Sequence, residues 1–174
     1  MTRQIPSGSL AVSFTSTMSD SGRTTSTRQD QMKGTVTLQL SNGTSDNQAD
    51  RQYSEEKSIA ASGTYDLDLA GAVEDALGET LTLAEIVWIF VRNKSAAVTT
   101  TVSVGAAASN PVASLFGDTS DVDVIPGNGG VWLRGSPADG GFAVAAGSAD
   151  TLRFTNNDGS NGATIEIYIV GRSA

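Results

Sequence analysis

Ile86-Val87-Trp88-Ile89-Phe90-Val91 is apolar at six successive positions. The run is far too short to span a bilayer and is rich in β-branched and aromatic residues, so it reads as one buried strand. Apolar side chains on both faces place that strand centrally, covered on each side. Outward from it, the chain changes to alternation at period two. Leu10, Val12 and Phe14 alternate with Ala11, Ser13 and Thr15. Val36, Leu38 and Leu40 alternate with Thr35, Thr37 and Gln39, and Tyr65, Leu67 and Leu69 with Asp66, Asp68 and Ala70. Each pattern describes a strand with one buried and one wet face. Further strands are expected over residues 98–104, 121–125, 130–134, 151–155 and 163–170.

Turn residues separate these runs. Asn42-Gly43, Asn128-Gly129 and Asn161-Gly162 can each supply the positive φ angles of a tight hairpin, and Asp139-Gly140-Gly141 and Asp158-Gly159 add two more turn signals. Helical periodicity is weak. The best stretch, residues 69–83, is interrupted by Gly71 and Gly78, which leaves at most a short helical turn around residues 72–76. About ten short strands punctuated in this way describe an all-β fold, an antiparallel β-sandwich, with the jelly roll as its expected form.

Two polar segments break the rhythm. Residues 19–33 are expected to form an exposed, non-periodic arm or long loop, and residues 41–51 a polar connection. The division that follows is an N-terminal strand and arm over residues 1–33 and a sandwich body over residues 34–174, in a single domain overall. The first of these segments holds three of the chain's 11 basic residues, Arg23, Arg28 and Lys33, and two acids, Asp20 and Asp30. A locally basic arm on an acidic body could dock on an acidic neighbour, although a solvated loop has the same composition.

Composition narrows the chemistry. The chain has 174 residues, with no Cys and no His. Disulfides, thiolate metal sites, Cys nucleophiles and the Ser-His-Asp mechanism are thereby excluded. A net charge of -8 repels phosphate, so neither nucleic acid nor an anionic membrane surface is an expected partner. Residues 1–6 lack the apolar core of a signal peptide, and synthesis in a host cytoplasm is the expectation.

Several carboxylates are grouped closely enough to suggest chemistry. Asp66 and Asp68 share one strand face and could in principle serve as the acid and base of a glycosidase. The polar face of an amphipathic strand explains them as well, and nothing nearby suggests a sugar-stacking aromatic platform. Adjacent Glu55 and Glu56 point to opposite faces. Asp118, Asp121 and Asp123 could offer oxygen ligands to calcium, as could residues 46–50, but the ligand order of a calcium loop is missing. Gly127-Asn128-Gly129-Gly130 is followed by no phosphate-binding Lys, Lys94 reads as an exposed strand-end residue, and Trp88 and Trp132 read as packing residues. No catalytic residue, cofactor or metal is expected.

Short phrases in fixed order carry a resemblance. They are NGTSDNQAD at 42–50, SIAASGTYDLDLAG at 58–71 and DALGETLTLAEIVWIFVRN at 75–93. In the C-terminal half they are VSVGAA at 102–107, FGD at 116–118, VIPGNGGVWL at 124–133, FAVAAGSADTLRFTN at 142–156 and the final IYIVGRSA. In these the chain resembles small bacteriophage and prophage virion structural proteins of the capsid decoration, or cement, type. The first forty residues do not share the likeness. The resemblance implies a non-enzymatic protein on the capsid surface of a virion, a homotrimer that bridges neighbouring subunits of the major capsid protein. A head-fibre base or tail component, and a carbohydrate-binding sandwich module, are the alternatives. Arg3, Arg23, Arg28 and Lys33 are the candidate capsid contacts, chosen because residues 1–33 are polar, non-periodic and locally basic.

Overall fold

The computed structural model of the chain describes residues 8–20, 28–71, 73–75, 78, 80–138 and 140–173, with backbone alone for residues 8, 10, 14, 17–20 and 28–30. The strands in chain order are β1 (Gly8–Asp20), β2 (Arg28–Asn42), β3 (Gln48–Ala49), β4 (Arg51–Ile59), β5 (Thr64–Asp68) and β6 (Glu85–Asn93). They continue with β7 (Val102–Gly105), β8 (Val122–Ile125), β9 (Val131–Gly135), β10 (Phe142–Ala143), β11 (Thr151–Asn156) and β12 (Ala163–Arg172). One short 3-10 turn, Ala113–Leu115, is the helical element among the described residues. No helix there is long and apolar enough to cross a membrane.

Two antiparallel sheets form the body. In the first, β12 lies between β4 and β6, and both β9 and β10 pair with the other edge of β6. In the second the order is β5-β11-β7-β8. The alternation seen in the sequence becomes the interior. Ile165, Ile167 and Ile169 of β12 and Ile89 and Val91 of β6 face Leu67 of β5, Leu152 and Phe154 of β11 and Val102 and Val104 of β7. All are essentially inaccessible to water. Burial of that kind gives roughly 1.5–3 kcal/mol for each large aliphatic side chain, so this inter-sheet layer is the main source of cohesion. An antiparallel sandwich is thus the architecture, as expected; its strand path does not by itself establish a jelly roll.

The central strand β6 is covered on both faces, but unevenly. A bulge lets Val170 pair with Trp88 and Gly171 with Ile86, so Val87 is the extra residue. Ile86 and Ile89 therefore join the inter-sheet core, while Val87 joins a second cluster on the outer face with Leu40, Ala49 and Val170. Gly171 is required at the bulge: a Cβ there would stand 2.3 Å from the carbonyl oxygen of Glu85.

Several expectations are corrected. Residues 19–33 are not a loop where they are described: Ser19 and Asp20 end β1, and Arg28 to Lys33 begin β2. The two strands form one antiparallel ribbon from Gly8 opposite Leu40 to Asp20 opposite Arg28. The ladder there joins Ser, Thr and Gln with few apolar residues, so hydrophobic alternation did not reveal it. The boundary placed at residue 33 falls inside β2. The Asn-Gly pairs do not close hairpins. Asn128 (φ 58°) and Gly129 (φ 84°) take left-handed angles, but they carry the chain from β8 in one sheet to β9 in the other. Asn161-Gly162 likewise links β11 to β12 across the sandwich, and Asn42-Gly43 leads β2 into β3, which pairs with it in parallel. The strand expected over residues 98–104 begins only at Val102, after turns. The helical turn expected at residues 72–76 lies partly outside the described residues, and Glu74 there bridges Thr80. Strand β4 was not foreseen.

Arg172 ties the ribbon root to the body. Its side chain is 2% exposed and meets Glu85 at 2.5 Å. Its guanidinium also donates to the carbonyls of Gln48, Pro137 and Ala138. Arg172→Ala strands the Glu85 carboxylate and three carbonyls, and is expected to destabilise the fold by about 3–5 kcal/mol. A lower urea midpoint at unchanged slope would show it. The pair Arg172→Met with Glu85→Leu should lose less than Arg172→Ala alone.

Candidate functional site

The carboxylates that could have served chemistry are each held by a structural partner. Asp66 takes two parallel hydrogen bonds from Arg153, Nε to Oδ1 and Nη2 to Oδ2, both 2.7 Å. The Arg153 hydrogen bond holds its pKa below the ordinary carboxylate value. Asp68 accepts from the Ala70 amide at 2.9 Å. The two are not a catalytic pair in this arrangement, since one is neutralised by Arg153 and the other caps the end of β5. Glu55 and Glu56 point to opposite faces of β4 as expected: Glu55 turns inward to two tyrosines, and Glu56 outward to Lys94 at 2.6 Å. Lys94 also reaches Glu166 at 3.1 Å.

The acidic run near residue 120 divides in the same way. Asp118 accepts from the backbone and hydroxyl of Ser120, and Asp121 from the amide of Gly117. Asp123 receives the Trp132 indole N–H at 2.7 Å and Arg134 at 2.5 Å. Asp50 binds Arg51 and Ser173. Among the described residues, no group of three or more acidic side chains could hold a metal ion. An open groove of about 390 Å³ lies beside Phe116, Asp121, Asp123 and Arg134. Phe116 stacks on Trp132 with centroids 5.8 Å apart, and Arg134 lies over the same indole. Trp132 is buried, so this groove offers no free indole face to a sugar ring. The glycine run beside it serves the sheet crossing: a Cβ on Gly127 would stand 2.0 Å from the Ala97 carbonyl oxygen.

One polar cluster was not legible in the sequence. The hydroxyls of Tyr53 and Tyr65 both donate to Oε2 of Glu55 at 2.6 Å, and Lys57 lies over the Tyr65 ring at 4.2 Å. It seals the gap between β4 and β5, where the two sheets meet at an edge. Burial, then the Glu55 carboxylate, pushes the Tyr65 hydroxyl up to about 12 and raises Tyr53 as well. Burial works to raise Glu55, but the two hydroxyls and Lys57 outweigh it and hold that carboxyl below its usual value. Sequence spacing puts Tyr53 and Glu55 on one face of β4, yet Tyr65 arrives from the other sheet.

The remaining feature is the ribbon. Residues opposite one another in its register share a face. One face carries Leu40, Leu38 and Val36, with Val12 opposite Val36, and Met32 further out opposite Ser16. The other face pairs Ser13 with Thr35, whose hydroxyls lie 3.2 Å apart, and Thr15 with Lys33. Leu40 is buried and Leu38 half-buried at the root, against Val87, Trp88 and Val170. Beyond the root Val36, Met32 and Val12 are exposed. The structure does not bring the four candidate basic residues together as a site: Arg3 and Arg23 lie outside the described residues, Arg28 and Lys33 lie on β2, and Lys33 is exposed on the polar face. Comparison with family models, curated proteins and solved structures returns no match for the chain.

Both tyrosine shifts favour the neutral hydroxyl in the folded state. Their stabilising contribution is therefore complete below the ordinary tyrosine value of 10.0 and lost as pH rises through about 12. Two of the chain's tyrosines should gain tyrosinate absorbance late in an alkaline titration, together with the onset of unfolding. Glu55→Gln should bring that absorbance change to lower pH.

Proposed function

We propose that this chain is a virion structural protein that decorates a phage capsid and stabilises it by bridging neighbouring subunits of the major capsid protein. The observation that carries the reading is the ribbon. Among the described residues strand β1 pairs with β2 alone, and every described side chain on it is exposed. Thirteen residues of strand extend roughly 40 Å, a long reach away from the body. The outer edge of β1 is unpaired among the described residues, which suits strand addition to a neighbour. A stiff sandwich supports such a lever well. Its candidate catalytic carboxylates are all engaged in holding the fold, which favours a structural role over an enzymatic one.

Decoration also fits the electrostatics. The basic residues Arg3, Arg23, Arg28 and Lys33 all belong to the first 33 residues, while the rest of the chain is strongly acidic. A basic arm steers an acidic body toward acidic neighbours. Many identical copies on one shell turn individually weak contacts into strong retention. The homotrimer and the capsid-surface location are part of this proposal and rest on the resemblance described above.

Deletion of residues 1–33 keeps Leu38 and Leu40 at the body and should leave thermal unfolding of the sandwich nearly unchanged. The truncated protein is expected to lose co-sedimentation with capsids, and undiminished binding would refute the assignment of the arm. Arg28→Glu with Lys33→Glu should weaken capsid binding at low salt, with the difference shrinking as salt is raised.

A further inference from the structure

We propose that the apolar face of the ribbon packs on the outer face of the five-stranded sheet of a second copy of this chain. The inference gives the homotrimer of the preceding reading a named contact, and does not depend on capsid binding.

Both halves of the contact are present in one chain and neither is covered there. On the ribbon, Val36 is 69% exposed, Met32 60% and Val12 42%. Register puts Val12 directly opposite Val36, so the two form one cross-strand pair, and Met32 lies further along the same face. On the body, Leu133, Phe90 and Tyr168 stand side by side across β9, β6 and β12, since Phe90 is opposite both Leu133 and Tyr168. The rings of Phe90 and Tyr168 are 6.1 Å apart. Tyr168 is 41% exposed, Leu133 36%, and Val131 in the next row 58%. Glu56, Arg92, Lys94 and Glu166 border this patch as ion pairs. These charges line one end of the apolar row, as polar residues do at the edge of a specific interface.

The way the ribbon begins indicates what its outer part should meet. At its root, Leu38 and Leu40 already rest on the outer face of this sheet, against Val87, Trp88 and Val170. Val36 and Met32 continue the same side of the same strand, so they need the same kind of surface. Their own chain does not supply it, because they stay exposed. The row Leu133–Phe90–Tyr168 is the direct continuation of the Trp88–Val170 row that receives the root. A second copy offers that row to the ribbon at equal stoichiometry.

Charge favours the same occupant. Residues 1–33 hold four basic residues, Arg3, Arg23, Arg28 and Lys33, against two acids, Asp20 and Asp30. Of the 11 basic and 19 acidic residues in the chain, that leaves 7 and 17 for the remainder. Residues 1–33 are thus net basic and the remainder strongly acidic, so that segment is attracted to an acidic body, its own or a second copy's, whereas two bodies repel. Sheets packed face to face lie about 10 Å apart, close enough for Val36 and Met32 to cover the Phe90 and Tyr168 rings.

The test uses the full chain in solution, without capsids. Sedimentation should give a mass above that of one chain. Val36→Glu with Met32→Glu should return the protein to single-chain mass, while Thr35→Glu with Thr37→Glu on the polar face should not. Circular dichroism and thermal unfolding of each variant verify that the body remains folded. Because the chain has no Cys, mixed single-cysteine variants locate the contact. A bis-maleimide spanning about 10 Å, matched to the sheet-to-sheet spacing, should join Val36→Cys to Tyr168→Cys across chains. A monomeric protein, an oligomer indifferent to Val36→Glu with Met32→Glu, or cross-links from Val36→Cys only to itself would each overturn the proposal. A monomer that still binds capsids would overturn this contact and the homotrimer, and leave capsid binding itself standing.

Discussion

A guanidinium buried at the end of β12 joins the strands of the body to the place where the ribbon enters. Arg172 joins the carboxylate of Glu85 on β6, the carbonyl of Gln48 on β3 and the carbonyls of Pro137 and Ala138 in the loop after β9. Those are the body's central strands and the place where the ribbon enters. Asp50 adds to the joint by accepting from the amide and hydroxyl of Ser173. An ion pair this buried does little for net stability compared with apolar packing, but it fixes one arrangement, because any other would leave the charges unpaired. The second hydrophobic cluster, Leu40, Ala49, Val87 and Val170, sits beside it. The ribbon therefore leaves the sandwich from a rigid root, and its direction is set by the body.

That joint gives meaning to the division of the chain into a dry interior and an uncovered periphery. The inter-sheet layer of Ile, Val, Leu and Phe side chains is closed to water and closed to chemistry. The polar groups that remain are tied into local pairs: Asp66 with Arg153, Asp123 with Trp132 and Arg134, Glu55 with two tyrosines. What is left open is a ribbon face and a sheet face, both apolar and both at the surface.

The parts of the fold legible in the sequence were those where burial imposes a pattern. Leu67 between Asp66 and Asp68, and the six apolar residues of β6, announce their strands because water is excluded from one face or from both. Strand β4 was missed because it is an edge strand whose inward positions include Glu55 and Lys57, made tolerable by Tyr53 and Tyr65. The outer ribbon was missed over residues 28–33 because cross-strand pairing of Gln, Thr and Lys needs no hydrophobic alternation. The Asn-Gly pairs did report left-handed backbone at residues 128–129, but left-handed backbone also serves a crossing between sheets. Lone Arg172 carries no sequence signal at all, since its partners come from residues 48, 85, 137 and 138. Of the candidate contacts, the basic character was legible, and the placement of Arg28 and Lys33 on a strand of the two-faced ribbon was not.

A rigid sandwich that grips its neighbours through an amphipathic ribbon is the central claim, and imaging of capsids assembled with the full-length protein tests it most directly. The expected image has this chain at equivalent positions all over the shell, each ribbon lying against an adjoining protein. Ribbons extending freely into solvent, or shells that carry none of this chain, would contradict it.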